Sequence, residues 1–132
     1  EPVAFENGKP MEYTVQPELT VSGRSVQLRQ VADILLDNAS KYASADSTVR
    51  VILRRQGSHC LLSVASAGDA ISKEDLKNIF KRFYRMDKAR SMNHSYGLGL
   101  SIADSIVGKH GGKIWAESAD GVNTFFVQLP TA

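Results

Sequence analysis

Residues Ser95 to Lys109 read S-Y-G-L-G-L-S-I-A-D-S-I-V-G-K, a glycine turn run directly into a helix. Beyond Gly99, Leu100, Ala103, Ile106 and Val107 recur at helical spacing, so the segment presents one apolar stripe that needs a second layer to cover it. A helix start leaves backbone N–H groups without intrahelical partners and carries partial positive charge. Glycines let the backbone come close to whatever lies there, and such a junction suits an anion. It is also an ordinary way to open a helix, so the rest of the chain decides between the two.

The covering layer is legible on both sides of it. Ser25 to Tyr42 is a long helix whose Leu28, Val31, Leu35, Ala39 and Tyr42 form one stripe, widened by Ile34 and Leu36; Ser22 or Ser25 is its candidate cap. Met11 to Val15 alternates as a half-buried strand, and Leu19 to Val21 extends or pairs with it. Thr48 to Arg54 and His59 to Ser66 alternate around Gln56-Gly57-Ser58 and predict a β-hairpin. Ser72 to Asp75 is a capping box, S-x-x-D, opening a short helix through Phe80, with Phe80, Phe83 and Tyr84 as an aromatic cluster. Met86 to Ser95 is polar, basic and without period, a loop. Gly111-Gly112 closes the glycine-led helix. Lys113 to Glu117 and Thr124 to Leu129 are two more strands joined through Asp120-Gly121. The order predicts an α+β fold: a two-layer sandwich, with a mixed, mostly antiparallel sheet and helices on one face.

At 132 residues the chain is read as one domain, 1–132, with Glu1 to Pro10 as a lead-in. A chain this long buries roughly two-thirds of its unfolded surface. Hydrophobic residues at 42% and charged ones at 23% exclude a disordered or fibrous chain. A net charge of +2 spread along the sequence argues against nucleic acid. Cys60 is the sole cysteine, which excludes an internal disulfide and fits a reducing compartment. No apolar run reaches membrane-span length and no signal peptide is visible, so no direct membrane contact is expected. A start at Glu1 rather than Met reads as a piece of something longer.

Three further segments carry candidate chemistry. Asp37-Asn38-Ala39-Ser40-Lys41-Tyr42 ends the long helix. Asn38 offers an amide oxygen suited to Mg²⁺, Lys41 reaches a phosphate from about the same face, and the Tyr42 ring suits stacking on a base. A helix end with a solvated lysine and a core tyrosine fits equally. Val64 to Ile71 is a strand ending at Gly68, where a flat ligand lies close to the backbone and Ser66 bonds its edge; a plain strand-to-turn junction is the alternative. Phe80-Lys81-Arg82-Phe83-Tyr84-Arg85, with Lys88 and Arg90, places cations ahead of the glycine turn, as a polyphosphate lid or as an ordinary solvated charge run.

In that order and spacing, N-A-x-K-Y, the strand ending x-x-G-x-x-I, R-F-Y-R, a short lid and G-L-G-L-S-I resemble the ATP-binding catalytic domain of bacterial sensor histidine kinases. This is the Bergerat-type fold of the GHKL superfamily. The tail H-G-G-K-I-W-A-E-S and T-F-F-V-Q-L-P is similar to the family's closing hairpin. The resemblance runs from about Met11 to Pro130. It implies that Asn38 holds the Mg²⁺ bridging the ATP phosphates, that Lys41 contacts phosphate, and that Tyr42 lies by the adenine. Asn38 and Lys41 would thus be the catalytic pair. Ser66, Gly68 and Ile71 would line the adenine pocket. Phe83 and Arg85 would belong to the phenylalanine box, with Arg85 and Arg90 near the phosphates. Gly97, Leu98, Gly99 and Leu100 would wrap the triphosphate, and Thr124 would stand at the base end of the pocket.

The resemblance further implies γ-phosphoryl transfer to a histidine on a separate dimerisation domain of the parent chain, with a response regulator downstream. The domain would be the cytoplasmic part of a bacterial membrane sensor. The alternative is a nucleotide-binding regulatory module of the same fold with weak or no kinase activity. The chain departs from the family at four places. Ile34 stands where many members carry Asn or Glu, Ser66 where an Asp reads adenine, Ala70 at the second glycine of that box, and Asn123 at the last glycine position. Loss of one such polar contact costs about 1.5–3 kcal/mol, on the order of tenfold to a hundredfold in binding. His59 on a strand, His94 in the lid and His110 at a helix end lack the acceptor-helix pattern. No Glu lies in the long helix, which separates the chain from the ATP-hydrolysing gyrase, mismatch-repair and chaperone relatives; an anti-sigma-factor serine kinase is closer than these, but the long match to sensor kinases speaks against it.

Overall fold

The computed structural model describes residues 11–15, 25–44, 47–84 and 99–130. Its elements are β1 (Met11–Val15), α1 (Ser25–Tyr42), β2 (Val49–Gln56), β3 (His59–Ala67), α2 (Lys73–Asn78), α3 (Gly99–Lys109), β4 (Lys113–Ala119) and β5 (Val122–Pro130). The five strands form one sheet in the order β1-β2-β3-β5-β4. β1 runs parallel to β2, a pairing that needs a long crossover between the strands, here one that contains α1. The other three pairings are antiparallel. The expected α+β architecture is therefore present, a mixed and mostly antiparallel sheet.

α1 and α3 pack on each other and on the same sheet face. Val31, Leu35 and Ala39 from α1 meet Leu100, Ala103, Ile106 and Val107 from α3 over Val49, Val51, Val64, Phe125 and Val127 of the sheet. These are the stripe positions that helical and strand periods assign to one side. Leu35 is wholly buried, and its truncation to alanine costs about 2–5 kcal/mol at such a site. Burial pushes the Cys60 thiol pKa up, with Arg55 opposing weakly, as befits a small apolar core group.

Turn chemistry sets the ends. Asp120 and Gly121 both have positive φ, 55° and 78°, the two-residue hairpin turn that Asp-Gly favours. α3 ends with Gly111 at φ 74°. Gly111 N–H donates to the Gly108 carbonyl and Gly112 N–H to that of Val107, a Schellman closure. His110 Nδ1 lies 2.8 Å from the Ile106 carbonyl, so this histidine caps the helix end.

Several boundaries differ from expectation. β2 runs on to Gln56, which pairs with His59, because the turn needs only Gly57 and Ser58. α2 stops at Asn78 rather than Phe80. Ile79 turns into the core and Phe80 meets Phe125 edge to face at 6.3 Å. Ser72 caps α2 by accepting from Asp75 N–H at 3.0 Å. The Asp75 carboxylate, expected to reach back to the cap, accepts from Tyr84 O–H instead. The proposed Leu19 to Val21 strand and the Ser22 cap lie outside the described residues.

Candidate functional site

Three hydrogen bonds gather the elements at one end of the sheet. Ser44 N–H, just past α1, donates to the Ala67 carbonyl at the end of β3, at 2.8 Å. Gly68 N–H donates to the Gly121 carbonyl in the β4–β5 turn, at 3.1 Å. Ile71 N–H donates to Ser118 Oγ on β4, at 3.0 Å. The C-terminal end of α1, the 67–71 turn and the β4–β5 hairpin therefore meet in one place.

The start of α3 faces α1. A Cβ on Gly99 would sit 3.5 Å from Ile34 Cγ2. Asn38 is four residues after Ile34 and so lies on the same helix face one turn on; it is half-buried, between fully packed Leu35 and Ala39. The helix start, whose first N–H groups have no intrahelical partner, thus stands beside the face of α1 that carries Ile34 and, one turn on, Asn38. Ser66 is 6% exposed and shares strand parity with buried Val64, so its hydroxyl is on the helix side of the sheet. Gly68 and Ile71 are half-buried in the turn that follows. The structure thus sets Gly99 against Ile34, one helical turn before Asn38, and brings Ser66, Gly68 and Ile71 together at the sheet end.

Other expected residues lie elsewhere. Phe83 is 63% exposed with φ 66°, and the Arg82 guanidinium lies 5.4 Å from its ring centroid. It does not join Phe80 in the core. Lys41 and Tyr42 close α1, but their side chains fall outside the described part. Arg85, Arg90, Gly97, Leu98 and the segment from Met86 to Tyr96 also lie outside the described residues.

Thr124 pairs with Ala65 and Glu117. Phe125 and Val127 point into the core, so Thr124 takes the sheet face away from the helices. Asn123, 5% exposed and paired with both Ser66 and Ser118, is the β5 residue on the site side. In the sequence it stands only as a departure at the last glycine position, with no role of its own. Counting back by two from Val127 and Phe125 was the signal that finds it. Ser118, on β4 opposite it, was missed.

Ligand chemistry can be tested on the residues present. Among the described residues there is no group of three or more His, Cys, Asp or Glu side chains placed to hold a metal. A hard cation prefers oxygen ligands, and the Asn38 side chain carries one.

A sheet covered on one face, with a helix start opening beside a neighbouring helix, is the architecture of the Bergerat-type ATP-binding domains. The chain belongs to one family of them: residues 23–132 match the family described as histidine kinase-, DNA gyrase B- and HSP90-like ATPase. Within it the similarity is to sensor kinases. Over 130 residues the chain is 38% identical to the sensor protein VanS of Enterococcus faecium, covering 98% of this chain and 34% of that protein. It is 39% identical over 101 residues to the sensor histidine kinase WalK of Bacillus subtilis, covering 74% of this chain and 16% of that protein. The chain spans about a third or less of the length of these relatives. Among solved structures, a mycobacterial sensor histidine kinase, MprB, superposes with a TM-score of 0.89 at 31% identity, over 98% of this chain and 89% of that one. Full-length ShkA in complex with AMPPNP superposes with a TM-score of 0.82 at 25% identity, over 99% of this chain and 27% of that one. By family and fold the domain thus stands with the catalytic domains of sensor histidine kinases. No helix among the described residues is long and apolar enough to cross a membrane.

Proposed function

We propose that this domain binds Mg²⁺-ATP between α1 and the start of α3 and presents the γ-phosphoryl to a histidine on a separate dimerisation domain of its parent protein. The observation that carries the reading is the placement of Gly99 against the Ile34–Asn38 face of α1. In this reading the helix-start N–H groups, which have no intrahelical partner, face the phosphates, and the Asn38 amide oxygen takes the cation. Asn38 and Lys41 act on the metal and phosphates; Tyr42, Ser66, Gly68 and Ile71 accommodate the base. Arg85, Arg90, Gly97, Leu98 and Leu100 complete the triphosphate side in this reading.

Phosphoryl transfer of this kind is mostly positioning and charge neutralisation. The acceptor imidazole nitrogen forms the new P–N bond as the bond to the β-phosphate oxygen breaks and ADP leaves. The domain needs no strong base of its own. Ile34 is part of the packed α1–α3 contact and has no group to activate water, which favours transfer over hydrolysis. The parent is read as a bacterial membrane sensor with this domain in the cytoplasm and a response regulator downstream.

Calorimetric titration with Mg²⁺-ATP tests the binding step, and a complete absence of heat at millimolar nucleotide defeats it. Transfer of labelled γ-phosphate to the parent's acceptor-histidine domain tests the second. Binding without transfer supports the other reading, a regulatory module of the same fold. The observation in that reading's favour is the neutral, buried Ser66 at the base-reading position.

A further inference from the structure

An amide buried to 5% exposure, as Asn123 is, loses free energy unless its polar atoms are bonded. Both ends of this one are engaged. Ser118 Oγ donates to Asn123 Oδ1 at 2.6 Å, and Asn123 Nδ2 donates to the Asp69 carbonyl at 2.8 Å. Ser118 Oγ also accepts from Ile71 N–H at 3.0 Å. The bonds run in one direction, from Ile71 N–H through Ser118 and Asn123 to Asp69 C=O. They begin and end on the same short turn.

Ser118 and Asn123 face each other across the β4–β5 pair, and Asn123 faces Ser66 across the β3–β5 pair. One polar row, Ser66–Asn123–Ser118, therefore crosses three strands at the end of the sheet where the apolar core gives out. Directly opposite residues on antiparallel strands have Cβ atoms about 5 Å apart, so the turn is held at a set distance from the Ser66 hydroxyl.

We propose that Asn123 and Ser118 are positioning residues of the nucleotide site. They pin both ends of the 69–71 turn to the β4–β5 hairpin and so set the wall against which the base lies. The proposal rests on the reading of this sheet end as the base end of a nucleotide pocket. Neither residue has to touch the nucleotide, because their bonds already run to the turn. What they supply is pre-organisation: base contact falls to Ser66 and to the backbone of a turn that does not have to be ordered on binding.

The test uses Ser118→Ala, which removes the hydroxyl with little change in volume, Ser118→Thr, which restores it, and Asn123→Gly, which removes the amide. Each is compared with the unsubstituted domain at a temperature where circular dichroism shows all four folded. Amide hydrogen exchange at Ile71 and calorimetric affinities for Mg²⁺-ATP and Mg²⁺-GTP are measured. Ser118→Ala and Asn123→Gly are expected to speed Ile71 exchange and to weaken ATP about tenfold, lowering the ATP-to-GTP preference, and Ser118→Thr to recover both. Weakening of ATP and GTP in step would show a merely structural role and overturn the proposal. So would ATP affinity unchanged in both variants while the unsubstituted domain binds. An unsubstituted domain that binds no nucleotide overturns the underlying reading and this proposal with it.

Discussion

Ile34 stands directly against Gly99: a Cβ on the glycine would meet the isoleucine Cγ2 at 3.5 Å. That is ordinary van der Waals contact, so a methyl fits, and alanine is a better helix former than glycine. Gly99→Ala is therefore expected to leave unfolding free energy within about 0.5 kcal/mol of the parent domain. The added methyl nonetheless stands at the α3 start, where the backbone is proposed to approach the triphosphate closely. Affinity for Mg²⁺-ATP should fall about tenfold, near 1.4 kcal/mol. Denaturant melts and calorimetry on the same sample separate the two effects, and an unchanged affinity removes Gly99 from the cradle.

Asn38 lies one turn beyond Ile34 on the same half-buried face. Asn38→Ala takes away the amide oxygen but no part of the fully buried core, so its cost in stability should stay near 1 kcal/mol. ATP affinity should lose its dependence on Mg²⁺. Titrating Mg²⁺ at fixed nucleotide reads this out, and a variant that keeps the dependence shows that the cation is held by other groups.

The fold was legible because its two periods are clean. Val31, Leu35 and Ala39 at helical spacing, and Val49, Val51, Val64, Phe125 and Val127 at strand spacing, are the residues found in the core. The site was less legible because its parts depend on register and on single hydrogen bonds. Thr124 and Asn123 are adjacent in sequence but on opposite sheet faces, and only the parity set by Phe125 decides which faces the helices. Phe83 reads as one of an aromatic cluster with Phe80 and Tyr84. The short α2 ends early, however, and the chain passes Phe83 at positive φ with its ring outside. Asp75 completes the capping-box pattern, yet its carboxylate is taken by Tyr84, nine residues away, a partner no local pattern reveals.

Ser66→Asp would place a carboxylate at a position 6% exposed, facing Asn123. Burying that charge without a base to bond costs stability in the free domain. With adenine bound, the carboxylate can accept from the exocyclic amino group, which guanine lacks at that edge. The expected result is a lower melting temperature without nucleotide and at least a tenfold rise in the ATP-to-GTP affinity ratio. If the ratio does not move, Ser66 is not where the base is read.

Gly112 tests the closing turn. A Cβ there would stand 2.2 Å from the Gln128 carbonyl oxygen, 2.8 Å from Leu129 Cδ2 and 3.0 Å from Val107 Cγ1. The nearest of these is backbone of β5, so the strand or the end of α3 has to move. Overpacking of this kind costs about 1–3 kcal/mol, sometimes more, and Gly112→Ala should fall at or above the upper end. By contrast, the Cβ of Gly108→Ala meets nothing within 4 Å and should be neutral or slightly stabilising. Urea unfolding of the pair checks both; equal midpoints would show that β5 gives way at no cost.

Tyr84 donates to Asp75 Oδ1 at 2.5 Å, tying the residues that follow α2 back onto it. That bond first, then burial and the nearby negative charges of Asp75 and Glu74, raises the phenol above its ordinary value of 10.0. A phenol whose pKa is raised by folding favours the fold in its protonated form. The contribution is complete below pH about 10 and is lost as pH rises through the raised value. Of the four tyrosines, Tyr84 should therefore ionise late. Alkaline absorbance titration of the folded domain should show a late component that Tyr84→Phe removes, while the unfolded chain shows none. Tyr84→Phe should also lower stability at neutral pH by the loss of the Asp75 hydrogen bond and remove the part of the alkaline fall that Tyr84 contributes. Persistence of the late component in the variant would assign it to another tyrosine and leave the Asp75 bond without a role in the alkaline limb.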